Sequence, residues 1–548
     1  MTNEPSHLLS MLCAAPLMAA LVVLFTPRQM VRTIRGITIG AMLGVFALSL
    51  GLLRGNYNSA AMQFAERYVL VRSHGITFSV GVDGMSLWLV ILTAFITLLA
   101  AFASWTHIDT KLKEYAISML VLEGAIIGAF VALDLLLFYV FWELTLVPIC
   151  LIIGMWGDTK RLYAAFKLVL YTMAGSMLML VGILYLVAQY REQTGHYSFE
   201  LRDLQLLLLP VSTQLWLFLA FAAAFAVKVP LVPLHTWLPD AYVQAPTAGT
   251  VMLSAVMAKM ATYGFLRFAM PLFPSGSHRA SATLAMLAVV GVIYGAYCAM
   301  AQSDIKKLVA YSSVSHLGFV MLGIYTLSTD GLRGSILQMV NHGISTGALF
   351  LLVGVIYERR KTRNMNELGG LAKVMPAYTA IFVVVMLSSI GVPITNGFVG
   401  EFMIIGGALV SEMLGRHGPI AAGVAATALI FVPMVILHAV RKTFWGPLEN
   451  PANQGLADLS WRERAVFTPL VLLIFYIGLF PNHVLKPMNA SVDRFALEYV
   501  MKLRAGDRNP DTRSLLEELE VPDGERDGEE GPRRSPPPLS AATLPRGY

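Results

Sequence analysis

Apolar runs about twenty residues long recur along most of the chain, the length a helix needs to cross a hydrocarbon core about 30 Å thick. No water is available inside such a core. Every backbone N–H and C=O must be paired, either within a helix or around a closed barrel. The runs are continuous rather than alternating, which selects helices. Composition agrees: 56% of the residues are hydrophobic, 14% are charged and the mean hydropathy is +0.65, whereas a soluble domain carries about 25% charged residues. The expected fold is an all-α polytopic membrane protein of about 14 transmembrane helices, two of them discontinuous, arranged as two inverted-topology repeats.

The spans are expected near 8–26, 33–53, 85–104, 114–133, 135–154, 162–189, 212–233, 248–270, 280–301, 304–326, 333–357, 375–396, 419–440 and 465–483. Between the second and third, "RYVLVRSHGITFSVGVDG" alternates like a short extracytoplasmic hairpin. Loops after odd-numbered spans hold eighteen Lys and Arg, loops after even-numbered spans eight, which places the odd loops in the cytoplasm and both termini outside. The chain divides into N-terminal helices with the hairpin (1–113), a first repeat (114–270), a second repeat (271–445), a last span (446–490) and a charged, proline-rich tail (491–548). From about Arg504 the sequence is too polar to bury a core and is expected to be mostly disordered, with "TRSLLEELE" a candidate short helix.

The net charge of +6 is no nucleic-acid footprint, because the basic residues sit at helix ends. Cys13, Cys150 and Cys298 lie far apart in apolar runs and read as buried hydrophobes, without metal-ligand spacing. Met1 to His7 lacks the basic start of a signal peptide.

Two spans are interrupted. "FAVKVPLVPLHTWLPDAYVQAPT", Phe225 to Thr247, places Lys228 in an apolar segment and follows it with prolines; "GVPITNGFVGEF" breaks the twelfth span. Lys228-Val229-Pro230 echoes Gly391-Val392-Pro393, 163 residues later. Paired interruptions in two halves point to a transporter-like repeat.

An ionisable residue inside a span costs about 2.5–3.5 kcal/mol on insertion scales, which makes it a functional candidate. Glu143, Lys228, Lys259, His316, His342 and Glu401 lie on six different spans. At about 1.5 Å per residue, their positions fall near the bilayer midplane. Together they read as a proton path within the membrane plane, with Pro230 and Pro233 opening a helix so that water reaches Lys228. Structural alternatives stand beside each: ion-pair partners for the acid and the lysines, satisfied core histidines, a helix cap for Glu401. Glu123 and Asp134 near span ends, and His235 and Asp240 beside the first break, are additional candidates with an equal claim to anchoring roles. Lys306 and Lys307 read as anchors at the cytoplasmic boundary.

"FWELTLVPICLIIGMWG", "KVPLVPLHTWLPDAYVQAPT", "AVMAKMATYGFLRF", "QSDIKKLVAYSSVSHLGFVMLG" and "NHGISTGALFLLVGVIYER" resemble the antiporter-like proton-pumping subunits of respiratory complex I, NADH:quinone oxidoreductase, over most of residues 75 to 445. A glutamate in "GFVGEF", where the paralogous L and N types usually carry lysine, resembles the M type (the mitochondrial subunit-4 type). The resemblance implies a non-redox, proton-translocating membrane-arm subunit flanked by L and N subunits. NADH, FMN, iron–sulfur clusters and quinone would belong to partner subunits, with no cofactor in this chain. The family's ion pair maps onto Glu143 and Lys228, its central lysine onto Lys259 and its exit glutamate onto Glu401; His316 and His342 fit the connection between halves. The expected location is a bacterial plasma (inner) membrane rather than the mitochondrial inner membrane. A subunit of a multi-component Na⁺/H⁺ antiporter is the alternative, and a structural scaffold or a solute permease are weaker ones.

Overall fold

A computed structural model describes residues 7–105 and 108–507 of the 548. Twelve helices among them are long and apolar enough to cross a membrane, and the pair Trp461–Leu479 and Asn482–Arg504, bent by 66°, adds a thirteenth. The expected twelfth span is two shorter apolar helices, Pro376–Ser389 and Asn396–Leu409, on either side of a break. The chain is an all-α polytopic membrane protein.

The interior belongs to three helices. Thr247–Leu272 and Thr329–Arg360 are wholly enclosed by protein over their apolar windows and Ile305–Thr326 is 94% enclosed, while the first helix, Leu8–Phe25, is only 33% enclosed. A helix apolar on every side belongs in the middle of a bundle. Lys259, His342 and His316 sit on these three helices, as far from lipid as the fold allows.

Both sequence-predicted interruptions are present. Val211–Lys228 ends at Lys228, short of the expected limit at residue 233. Pro230 and Pro233 have no N–H to donate, so the ladder cannot continue. Eight residues later the chain resumes as Trp237–Gln244. The second break leaves Gly391 and Ile394 with φ of +70° and +79°. Glycine takes that conformation freely; for a β-branched isoleucine it is strained. A third departure from regular helix was not legible: Thr247–Leu272 contains two π-helical segments, Leu253–Met257 and Phe265–Ala269.

The expected hairpin is an antiparallel pair, Gln63–Val71 (β1) and Ile76–Val82 (β2), turned at Gly75 with φ +63°. Its Glu66 accepts hydrogen bonds from the N–H groups of Leu9 (2.8 Å) and Ser10 (3.2 Å), donors that the first helix cannot pair internally.

Residues 491–507, grouped with the tail by composition, are instead part of a helix, Asn482–Asp507. Its buried residues Val484, Met488, Val492, Ala496 and Tyr499 recur every three or four positions, so one face packs although the segment as a whole is polar. The tail beyond it, with "TRSLLEELE", lies outside the described residues. This helix crosses the end of the bundle that also holds the hairpin. Gly84 N–H donates to Ser491 Oγ (3.0 Å), Trp88 Nε1 to the Val484 carbonyl (2.9 Å) and Tyr499 OH to the Pro274 carbonyl (3.1 Å). A Cβ at Gly84 would stand 2.0 Å from the Pro487 carbonyl oxygen. Gly84→Ala is therefore expected to lift this helix off the bundle at a cost of about 1–3 kcal/mol, read as a lower thermal midpoint and faster proteolysis near residue 480; unchanged values would refute the contact.

Candidate functional site

The first break is closed by side chains. Pro230 has no N–H for the Ala226 carbonyl, so Leu231 N–H donates there instead (2.9 Å); the Val227 carbonyl, left without that donor, accepts from Trp237 Nε1 at 2.8 Å. Lys228, 2% exposed, donates to Thr145 Oγ1 at 3.1 Å and lies 3.8 Å from the centre of the Trp142 ring. The ammonium thus rests on a hydroxyl and an aromatic face. The expected ion pair with Glu143 is not formed. Glu143 is half-buried on Leu135–Leu144, with Oε1 unpaired, between the exposed Val140 and Val147.

Around the second break the residues converge. Lys259 Nζ donates to the Ser254 carbonyl (2.5 Å), in the first π-helical segment, and meets His342 Nδ1 at 2.6 Å. The rings of His342 and His316 are 5.6 Å apart between centroids. His316 Nδ1 lies 3.0 Å from Glu401 Oε1, which also accepts from Gln338 Nε2 at 3.1 Å. Four of the six candidate residues therefore form one buried row, each 5% exposed or less, across four helices. An ammonium can only donate, so His342 Nδ1 accepts from Lys259 and the ring proton sits on Nε2. A carboxylate at Glu401 calls for the proton of His316 on Nδ1, which leaves Nε2 as an acceptor. Both Nε2 atoms are without a hydrogen-bond partner, so the two rings, 5.6 Å apart, are not joined by a direct bond.

Lys228 is not in contact with this row. Its helix meets the Lys259 helix through aromatic packing: Phe225 stands on Phe265 (centroids 5.3 Å) and on Trp142 (5.4 Å), and a Cβ at Gly264 would lie 2.7 Å from the Phe225 ring.

The additional candidates separate. Asp134 caps Leu135–Leu144, accepting from Leu137 N–H and Thr77 Oγ1 at 2.9 Å each. Glu123 is fully buried on Leu112–Val131, with both carboxyl oxygens unpaired. Asp240 pairs with Lys167 at 2.7 Å, and His235, 4% exposed, stands edge-on to Tyr294 with Nδ1 unpaired. Lys306, read as a surface anchor, is buried and donates to the Val243 and Ala245 carbonyls (3.2 and 2.6 Å).

Sequence reasoning missed two groups. Gln338, Asn341, His342 and Ser345 form a polar stripe with spacing i, i+3, i+4, i+7, legible in "QMVNHGIS". Asn341 Nδ2 donates to the Asn396 carbonyl (2.7 Å), and Ser388 Oγ donates to Asn396 Oδ1 (2.5 Å), so the stripe and Ser388 together hold the first residue of the helix that follows the second break. The other group is a buried ion pair, Arg267 with Asp83 (2.6 Å), with Arg267 Nε donating to Tyr263 OH at 2.9 Å. The partners are far apart in sequence and nothing local announces them.

Residues 132–417 match the sequence family described as NADH:quinone oxidoreductase/Mrp antiporter, transmembrane. The chain belongs to this family. Among members of the NADH:quinone oxidoreductase/Mrp antiporter family, it is 42% identical to NADH-quinone oxidoreductase subunit M of Rhodobacter capsulatus over 505 residues, covering 90% of this chain and 97% of that one. It is 39% identical to NADH-ubiquinone oxidoreductase chain 4 of Marchantia polymorpha over 489 residues, 88% and 96% of the two chains. A chain of respiratory complex I from Thermus thermophilus superposes with a TM-score of 0.81 at 30% identity, covering 90% of this chain and 99% of that one. The Mrp complex from Dietzia sp. DQ12-45-1b contains the same fold, at TM-score 0.75 and 20% identity over 90% and 98% of the chains.

Removing Arg267 would leave the buried Asp83 charge uncompensated. Arg267→Ala is expected to cost about 3–5 kcal/mol in stability, whereas Asp83→Asn with Arg267→Met recovers most of it. Thermal unfolding of the two purified variants checks this.

Proposed function

We propose that this chain is an M-type subunit of NADH:quinone oxidoreductase that translocates protons through the membrane arm and holds no redox centre. The row Lys259–His342–His316–Glu401 is the observation that carries the reading. Buried ionisable groups are costly in a membrane, and four of them in sequence are placed to take and pass protons. Strong identity over nearly the full length of subunit M and chain 4 relatives supports the assignment. NADH, FMN, iron–sulfur clusters and quinone are assigned to partner subunits, L- and N-type subunits to its two flanks, and a bacterial inner membrane to its location. The two interrupted spans are assigned to two inverted repeats, 114–270 and 271–445.

The row works by changing its proton count. With Lys259 charged, His342 is held neutral through Nδ1 and presents its Nε2 proton toward His316. As Lys259 gives its proton to His342 Nδ1, the His342 Nε2 proton passes to His316 Nε2 and His316 releases its Nδ1 proton to Glu401. Net, one proton moves from Lys259 to Glu401, and both imidazole rings, each left in its other tautomer, must rotate or exchange through water before the next cycle. Lys228, resting on Thr145 and Trp142 without a direct ion pair to Glu143, is a separate donor. It connects to Lys259 only when the Phe225–Phe265 packing parts and admits water, which makes the aromatic contact a gate in the path. Because the groups interact, they titrate as a set rather than singly. Each charge moved against the potential costs about 2.3 kcal/mol per 100 mV, supplied by the redox reaction in the partner subunits.

In the assembled complex, Lys259→Met or Glu401→Gln is expected to lower proton delivery through this subunit by about 100-fold, with NADH oxidation by an artificial electron acceptor retained. Lys228→Ala and Glu143→Ala are expected to impair pumping likewise; normal pumping in these variants would overturn the scheme. Co-purification in mild detergent with flavin and NADH oxidation distinguishes this assignment from a multi-component Na⁺/H⁺ antiporter subunit, which would bring neither.

A further inference from the structure

Three helices at the lysine- and arginine-rich end of the bundle leave a groove between them. Its walls are Ile34 and Ile39 of Val31–Leu50, Ala101 of Leu87–Ser104, and Leu112 and Met119 of Leu112–Val131, and it encloses about 370 Å³ of empty space. A volume of this size suits a small-molecule ligand. The span that begins at Val31 is the least enclosed of the twelve, at 28%, so the groove lies at the edge of the protein.

Unpaired donors collect at its mouth. Arg35 uses one side-chain nitrogen: Nη2 reaches the Ile108 carbonyl and Asp109 Oδ1, each at 3.3 Å. Nε and Nη1 make no hydrogen bond among the described residues, and Nε is buried, where an unpaired donor is costly. The guanidinium carbon lies 5.6 Å from the centre of the Trp105 ring, which lines the same groove. On another wall Tyr115, 5% exposed, has a hydroxyl without a partner. Arg32 stands one turn outward from Arg35, and Lys111 one turn outward from Tyr115; both are exposed, and neither has an ion-pair partner among the described residues. Residues 26–35 and 108–114 together hold five basic residues and two acidic ones, and of the acids Glu114 is taken by Arg28 at 2.6 Å. The rim is held in place. Trp156 Nε1 donates to the Thr110 carbonyl at 2.8 Å, and Tyr115 packs edge-on to the Trp156 ring with centroids 5.3 Å apart.

We propose that this groove binds a phospholipid with a negatively charged headgroup. An apolar slot below open cationic donors, at the end of the spans, matches the two parts of such a molecule. The arginine fork suits phosphate oxygens, and basic pockets between membrane helices take anionic headgroups. Arg35 and Arg32 hold the phosphate from one wall and Lys111 from the other. One acyl chain lies along Ile34, Ile39, Ala101 and Met119, and the Tyr115 hydroxyl donates to an ester carbonyl. A free phosphate ion would leave the slot empty. A zwitterionic lipid would bring a second cation to a rim that is already positive.

The test uses the assembled complex in nanodiscs of phosphatidylcholine that contain a phosphatidylglycerol with a photoreactive diazirine in its acyl chain. Labelled peptides are mapped by mass spectrometry after illumination. Val31–Leu50 and Leu112–Val131 are expected to carry several times the label of the half-enclosed helix Pro274–Met300, and unlabelled phosphatidylglycerol should displace it. Arg35→Gln is expected to lower this labelling about fivefold, the effect of one basic residue near a membrane surface, and Arg35→Lys should keep most of it. Ala101→Phe fills the slot while leaving the charges in place and should remove the label, which decides the matter even where Arg35→Gln assembles poorly. NADH oxidation by each preparation reports assembly. Equal labelling of the groove and of Pro274–Met300, equal labelling by a diazirine phosphatidylcholine, or wild-type labelling in Ala101→Phe would overturn the site. Displacement by inorganic phosphate alone would overturn it in favour of a free-anion site, and a groove that takes no label from either lipid would show a face covered by a partner subunit instead.

Discussion

Every polar group in this bundle must find its partner inside the protein, because the hydrocarbon around it offers none. That constraint explains both what is regular in the fold and what is not. Long helices satisfy their own backbone. Where a helix stops within the bundle, the stranded groups are met from inside the protein: Trp237 donates to the Val227 carbonyl at the first break, and at the second Gly391 and Val392 N–H turn back onto the Ser388 and Leu387 carbonyls while Asn341 and Ser388 hold Asn396. The breaks are thus fitted with polar side chains at the depth where ionisable residues gather. Their lining and the proton row are one network, since Gln338 on the Asn341 stripe also donates to Glu401.

The row from Lys259 to Glu401 is short in space and long in sequence. It draws residues from four helices whose positions span more than 140 residues of chain, three of them the most enclosed spans of the bundle. The Lys228 side differs. There the ammonium sits on Thr145 and the Trp142 ring, and Phe225, one turn before it, packs on Phe265 of the Lys259 helix. Under the proposed function that ring packing is a point of control, since packed rings exclude water until something moves them. Buried ion pairs serve a second purpose in the same bundle. Arg267 with Asp83 ties the second π-helical segment to the start of Leu87–Ser104, next to the contacts that seat the final amphipathic helix.

The residue pattern along the chain was enough to determine the class, the approximate spans, both interruptions and the hairpin. These follow from rules that act locally: the length of an apolar run, the missing donor of proline, the cost of a charge in a greasy segment. Three other features depended on which helices become neighbours. Glu143 and Lys228, expected as a pair, make no direct ion pair; Asp134, a candidate carrier, is a helix cap; Lys306, read as an anchor at the boundary, is buried on two carbonyls. The π-helical segments beside Lys259, the burial of one face of Asn482–Asp507 and the pairing of Lys167 with Asp240 were likewise decided only by the packed bundle. A side chain's type fixes what it is able to donate or accept, but its partner is whatever atom the tertiary packing brings within about 3 Å, and no run of neighbouring letters encodes that distance.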